Sequence, residues 1–165
     1  MSRDKFVWNE GDIEVLDTAD MRMYKDKWNF LHTQVLASCR LASLQRANVY
    51  ASAASDDQRV QFQKNLDLAL TDIGSRYGTC VNESDHVKNI EELAARLSKE
   101  CGPALAKGRL RLGIAQKALN LYLKYLWCLR KIPMPPHCPL DSRIIQQLPS
   151  VREVSWTKMT DVAEY

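Results

Sequence analysis

The residues with the clearest potential for chemistry are a lysine and an aspartate in the C-terminal third of the chain. Lys117 follows Gly113-Ile114-Ala115-Gln116 at the head of an apolar segment, and Asp141 ends the return segment Cys138-Pro139-Leu140-Asp141. A helix over 118–130 rises about 20 Å, and the residues of 131–139 reach back up to about 30 Å when extended. We therefore expect Lys117 and Asp141 to lie side by side, either as a structural ion pair or as an amine–acid catalytic pair.

A lysine acts as a nucleophile only when burial or neighbouring cations depress the pKa of its amine. Lys117 begins an apolar helix, where the positive end of the helix dipole lies, and Lys124 follows seven positions later on the same face. A nearby carboxylate such as Asp141 would stabilise positive charge that develops beside the amine. The sequence thus permits nucleophilic chemistry by the Lys117 amine.

Further side chains of the same helix are candidates for substrate contact. Gln116, Asn120, Lys124 and Trp127 recur at four-, four- and three-residue steps, so they line either a polar pocket or the solvent side of an amphipathic helix. Trp127, Tyr125 and His137 are the candidates for the aromatic walls of such a pocket.

The charge of the chain is divided unevenly. Residues 1–100 contain 13 Lys and Arg against 16 Asp and Glu, whereas residues 101–165 contain ten against four. Such a basic C-terminal part indicates either a polyanionic partner, such as a nucleic acid, or a solvated basic face. Lys107, Arg109 and Arg111 alternate with apolar residues ahead of Gly113 and are the candidates for contacts with a phosphate backbone.

The order of these residues resembles the catalytic core of the helix-hairpin-helix DNA glycosylases, over residues 108–143. The resemblance implies that Lys117 is a Schiff-base nucleophile, that Asp141 is the catalytic carboxylate and that Gly113 belongs to a hairpin whose N–H groups hold a DNA phosphate. The strings 116–128, 136–141 and 156–158 also resemble a group of uncharacterised bacterial proteins, which implies no activity.

Two other functions remain open. One is a non-catalytic protein-interaction or regulatory subunit, for example of a defence system, and the other is a nucleic-acid binder without chemistry. No Walker motif, paired-glycine dinucleotide fingerprint or serine elbow occurs, which argues against nucleotide hydrolases, dinucleotide oxidoreductases and common esterases. We expect no cofactor.

Five cysteines, an odd number without a Cys-x-x-Cys pair, favour reduced thiols that are mostly packed as small hydrophobic side chains. His137, Cys138 and Cys128 have donor atoms suited to zinc, but three candidates without a fourth make a weak site, and we expect no metal. With no secretory signal and no bilayer-length apolar run, we expect a cytoplasmic protein outside the membrane.

The elements that must position these residues are helices. Apolar periodicity predicts an all-α fold, a compact bundle in one domain with a lead-in over 1–19 and a docked tail over 150–165. The predicted segments are helices over 20–53 (N-cap Asp20), 55–77 (capping box Ser55–Gln58), 84–99, 114–131 and 140–148, with a short extended segment or hairpin over 107–113. A helix-hairpin-helix element is expected near 108–131. Val154 and Trp156 are expected to dock the tail.

Overall fold

The structure, a computed structural model, describes residues 18–45, 47–147 and 155–165. Within these ranges the α-helices are α1 (Thr18–Leu44), α2 (Asp56–Gly74), α3 (Glu83–Cys101), α4 (Leu112–Cys128) and the short α5 (Ser142–Ile145). The described residues form no strand, only an isolated antiparallel bridge between Tyr50 and Leu105. The predicted all-α class is confirmed.

Contacts divide the chain into two units, residues 1–34 and residues 35–165. In the first unit, the described residues 18–34 are helical, so Asp20 lies inside α1 and is not its N-cap. Large apolar side chains of this unit are exposed: Met23, Tyr24, Phe30 and Leu31. Of the predicted lead-in over 1–19, residues 18 and 19 are helical and the rest lies outside the described residues. A single domain stays a prediction.

In the second unit, α2 begins at the predicted capping box. The Ser55 side chain accepts from the Gln58 N–H, and the Gln58 side chain accepts from the Ser55 N–H, so two exposed backbone donors are satisfied. α2 ends at Gly74, and a 3-10 turn over Ser75–Gly78 takes the place of the last residues of the predicted helix over 55–77.

The core of this unit lies where α2, α3 and α4 pack against one another. Its fully buried side chains include Phe62, Leu70, Ile73, Ile90, Leu93, Leu97, Leu119 and Leu123. Gly74 lets α4 approach α2 closely, because a Cβ there would lie 2.5 Å from Cε1 of the Tyr122 ring. This packing fixes α4, the helix that carries the candidate site.

α1 ends at Leu44, so the prediction of a helix through Ala53 was wrong for the described residues 45 and 47–53. Backbone groups of the following segment bond to a different part of the chain: the Ala51 N–H donates to the Ala104 carbonyl, and the Ala106 N–H donates to the Val49 carbonyl. Asn48 has a positive φ of 44°, which is incompatible with an α-helix. Tertiary hydrogen bonds therefore override the local helical pattern.

The segment ahead of α4 forms no hairpin of the predicted kind. A 3-10 turn over Ala106–Gly108 is followed by extended Arg109 and Arg111, and Gly113 already belongs to the first turn of α4. α4 also ends earlier than predicted, at Cys128, because Arg130 adopts a left-handed conformation with φ of 57°. α5 covers only part of the predicted 140–148, of which Leu148 lies outside the described residues.

Candidate functional site

Lys117 and Asp141 lie next to each other, as the sequence predicts. The Lys117 Nζ is 3.8 Å from the Asp141 Oδ2, and both side chains line one cavity of about 600 Å³. The side chain of Lys117 is 12% exposed and that of Asp141 is 31% exposed, so solvent reaches the pair from the carboxylate side. An amine and an acid in contact at the wall of a cavity are the chemical starting point of the site.

The surroundings of Lys117 act on its charge in opposite directions. Burial lowers the pKa of the amine, and the charge of Asp141 opposes that effect without cancelling it. The Nζ also lies 4.2 Å from the centroid of the Trp156 ring, an arrangement that favours the ammonium form. Lys117 therefore releases its proton more readily than a surface lysine does, while an aromatic ring and a carboxylate hold the amine in place.

Asp141 is held by the short helix that follows it. Its Oδ1 accepts from the Ile144 N–H at 3.1 Å, and its carbonyl accepts from the Ile145 N–H at 2.9 Å. The carboxylate thus caps the first turn of α5 with one oxygen and faces Lys117 with the other.

The spacing of Gln116 and Asn120 predicts that they line either a polar pocket or the solvent side of α4. Both predictions are wrong, because both side chains are fully buried and neither lines the cavity. The Gln116 side chain donates to the Leu140 carbonyl at 2.9 Å and accepts from the Leu140 N–H at 3.2 Å. It clamps the backbone of the return segment one residue before Asp141, so its role in the structure is to position that segment.

Asn120 joins the return segment to the end of the described chain. Its Nδ2 lies within hydrogen-bonding distance of the Cys138 carbonyl, the Gln116 Oε1 and the Tyr165 hydroxyl. Burial raises the pKa of Tyr165 to about 12, so this phenol keeps its proton. A buried polar chain therefore extends from Leu140 to Tyr165.

His137 lines the cavity and is held from both ring nitrogens. Its Nδ1 is 2.6 Å from the Tyr165 hydroxyl, and its Nε2 is 3.3 Å from the Glu83 Oε1. Its ring packs edge-to-face on His86 at a centroid distance of 4.7 Å. His137 is one of the predicted substrate-binding residues. Its position is fixed by side chains of α3 and by Tyr165 of the C-terminal segment, residues 155–165.

His86 is fully buried beneath His137. Its Nδ1 bonds the Tyr77 hydroxyl at 2.8 Å, and that hydroxyl also accepts from Asn89. Burial and the neighbouring His137 lower the pKa of His86 to about 4, against smaller opposing effects of Asn120 and Glu83. His86 is therefore a neutral imidazole around pH 7.

The remaining predicted contacts of the pocket lie on the outer part of α4. Lys124, Tyr125 and Trp127 line the same cavity as Lys117. The opposite wall includes apolar and proline residues of the stretch 134–139. Lys124 is exposed and Trp127 is 43% exposed. The structure thus brings Lys117, Asp141, Lys124, Trp127 and His137 to one cavity.

The predicted backbone-binding residues have different environments. Lys107 and Arg109 are exposed, whereas the Arg111 guanidinium donates to the carbonyls of Ala47 and Asn48 and is partly buried. The Gly113 N–H donates to the Met159 carbonyl, and a Cβ at Gly113 would overlap the Trp156 carbonyl oxygen. In this structure the C-terminal segment occupies the place where the resemblance puts a phosphate.

The sequence reasoning missed the parts that Trp156 and Tyr165 play at the site. The Trp156 side chain is buried, as a docked tail requires, but its ring also contacts the Lys117 amine, and the Tyr165 hydroxyl reaches His137. The prediction for Val154 lies outside the described residues. No local signal could place these aromatic residues, because their partners are about 30 to 45 positions away in the chain.

The cysteines are free, as expected, but only two are packed inside. Cys39 and Cys101 are buried, whereas Cys80, Cys128 and Cys138 are exposed, so the packing prediction was wrong for three of the five. Among the described residues, no group of three or more His, Cys, Asp and Glu side chains is arranged to hold a metal ion.

No helix in the described ranges is long and apolar enough to cross a lipid bilayer. Comparison of the chain with protein-family models, with curated proteins and with solved structures finds no match.

Proposed function

We propose that this chain is a nucleic-acid-directed enzyme, a base-excising DNA glycosylase or lyase in which Lys117 is the nucleophile and Asp141 the assisting carboxylate. The observation that carries the proposal is the contact of 3.8 Å between the Lys117 Nζ and the Asp141 Oδ2 at the wall of a cavity. The proposal does not depend on a phosphate site at Gly113, whose N–H bonds the C-terminal segment.

Three properties of the site support this chemistry. Burial lowers the pKa of the Lys117 amine, which increases the fraction that carries a free electron pair at neutral pH. The Asp141 Oδ2 lies 3.8 Å from that amine, so its negative charge would stabilise positive charge that develops at a sugar carbon bound there. Tyr125, Trp127 and His137 line the cavity with aromatic surface against which a base can stack.

The reaction would start with attack of the neutral Lys117 amine on C1′ of the sugar. On a nucleoside, the C1′–base bond breaks, and the base leaves with the bonding electron pair and one amine proton. The C1′–O4′ bond then breaks as the nitrogen electron pair forms the C=N bond, and O4′ takes up the second amine proton. On an abasic sugar, the amine adds to the aldehyde and water leaves. Both routes give an imine between Lys117 and C1′, which borohydride reduces to a stable secondary amine.

The test is borohydride trapping on oligonucleotides that contain an abasic site or a damaged base. Wild type is expected to form a covalent adduct. Lys117→Met, which keeps the length of the side chain, is expected to form none, and Asp141→Asn is expected to slow trapping by about 100-fold. Lys64→Ala, a change at an exposed lysine of α2, is the matched control and is expected to react like wild type.

Thermal unfolding of each variant separates loss of chemistry from loss of fold. The proposal is overturned if wild type forms no adduct on the whole substrate panel, or if folded Lys117→Met forms as much adduct as wild type. The first of these results would favour the alternative, a protein-interaction subunit. That alternative is supported by the exposed apolar side chains of α1, which are Met23, Tyr24, Phe30 and Leu31.

A further inference from the structure

A second cavity, of about 400 Å³, lies at the C-terminal end of α4. It is lined by Trp127, Arg130, Lys131, Ile132 and Pro133, and Trp127 also lines the cavity of Lys117 and Asp141. The indole therefore forms a shared wall between the candidate catalytic cavity and a basic neighbour.

From this arrangement we infer that Trp127, Arg130 and Lys131 form a binding surface for single-stranded nucleic acid, with a base stacked on the indole and phosphates near the two cations. The inference rests on the proposed function, because it names the form of nucleic acid that would deliver a nucleotide to Lys117. Arg130 and Lys131 were not among the residues that the sequence singled out for binding.

Charge is the first argument for a polyanionic ligand. The two cavities are lined by four cationic side chains: Lys117, Lys124, Arg130 and Lys131. Against these four cations, the described residues that line the two cavities include one acidic side chain, Asp141, and its carboxylate faces Lys117. A surface of this balance attracts phosphate groups, with release of counterions from the nucleic acid.

The second argument is the exposed indole. The Trp127 side chain is 43% exposed, although α4 has a larger share of buried residues than α2 or α3. An exposed aromatic ring among cations is the combination by which proteins hold single strands without reading their sequence, because every base offers a π-face for stacking. A paired duplex offers no such face along its length.

The third argument is length. Arg130, which lines only the second cavity, lies thirteen residues after Lys117, about 20 Å along the axis of α4. One ligand that contacts both the Lys117 amine and the Arg130 guanidinium must be extended, as an oligonucleotide is. A mononucleotide or a small carboxylate would fill one cavity and leave the other empty.

The backbone at Arg130 allows an unusually clean variant. α4 ends with the Arg130 N–H bonded to the Trp127 carbonyl and the Lys131 N–H bonded to the Leu126 carbonyl, and Arg130 has a φ of 57°. Glycine is the residue that this helix terminus normally prefers. Arg130→Gly therefore removes the cation without straining the fold.

The test is fluorescence anisotropy with a labelled, unreactive oligodeoxynucleotide of about 12 nucleotides. Wild type is expected to bind it, and to bind the duplex of the same sequence more weakly. Trp127→Ala is expected to weaken binding by about tenfold, with Trp127→Phe restoring most of the loss. Arg130→Gly with Lys131→Ala is expected to weaken binding and to reduce the slope of log affinity against log salt by about 1.4.

The matched control is Lys64→Ala with Lys99→Ala, which removes two exposed lysines of α2 and α3. It is expected to leave both affinity and salt slope close to those of wild type. The inference is overturned if the control weakens binding as much as the paired change at 130 and 131. It is also overturned if wild type does not bind the strand, or if polyglutamate of similar charge binds as tightly.

The binding assay and the trapping assay can fail separately. If Lys117→Met binds the strand like wild type but wild type forms no adduct, the binding surface stands and the proposed chemistry falls. If wild type is trapped on an abasic strand and Trp127→Ala and the paired variant are trapped equally fast, the chemistry stands and the surface falls.

Discussion

At the scale of single residues, the candidate site depends on the buried amide of Gln116, which does not line the candidate cavity. Gln116 bonds both the N–H and the carbonyl of Leu140, and so fixes the backbone next to Asp141 relative to the helix that carries Lys117. The juxtaposition of Lys117 and Asp141 could be predicted as a possibility, because helix rise and chain reach allow it. The clamp of Gln116 on Leu140 could not be predicted, because a hydrogen bond to a backbone group has no signature in the spacing of side chains.

Gln116→Leu should therefore lower the free energy of unfolding by roughly 2 to 4 kcal/mol, since it leaves the N–H and carbonyl of Leu140 without their partner in a partly buried place. Urea unfolding measures the loss. Gln61→Leu is the matched control, because the Gln61 side chain bonds only Asn65 on the exposed face of α2, and it should change stability by less than about 0.5 kcal/mol. Equal effects of the two changes would refute the clamp.

At the scale of elements, hydrogen bonds from distant residues decide where helices end and which faces are covered. The capping box of α2 was readable, because both of its partners lie within three residues. The end of α1 was not, since the segment after Leu44 bonds to residues 104–111. The start of α4 is likewise covered by a segment more than 40 residues later, at Trp156 and Met159.

Gly113→Ala tests that coverage. The added Cβ would overlap the Trp156 carbonyl oxygen, so the C-terminal segment must shift away from α4, at a cost of about 1 to 3 kcal/mol. Limited proteolysis should then cleave the C-terminal segment faster than in wild type. Gly78→Ala adds its Cβ to open space and should leave the cleavage rate unchanged. An unchanged rate in Gly113→Ala would contradict the docking of this segment.

At the scale of the whole molecule, the buried polar side chains of the second unit make its stability depend on pH. The all-α class follows from apolar periodicity, whereas the network of His86, His137, Asn120 and Tyr165 does not. Its members come from α3, α4, the return segment and the C-terminal segment, so that only the folded chain defines their surroundings.

Stability should fall as the pH is lowered from about 6.5 to about 4. The folded state holds the pKa of His86 near 4, below its ordinary value of 6.5, so the unfolded chain binds the proton first in this window. The loss of unfolding free energy is about 3 kcal/mol in full. The loss is complete below pH 4 and absent above pH 6.5. Urea unfolding against pH measures it, with His86→Gln expected to flatten the curve between these values. An equally steep curve in that variant would contradict the assignment of the effect to His86.

The central claim is that the amine beside Asp141 is the nucleophile, and the most direct measurement is to locate the trapped adduct. After borohydride reduction on an abasic oligonucleotide, digestion and mass spectrometry should place the sugar remnant on the peptide that contains Lys117. An adduct spread over the exposed lysines, or confined to another amine such as Lys124, would contradict the account.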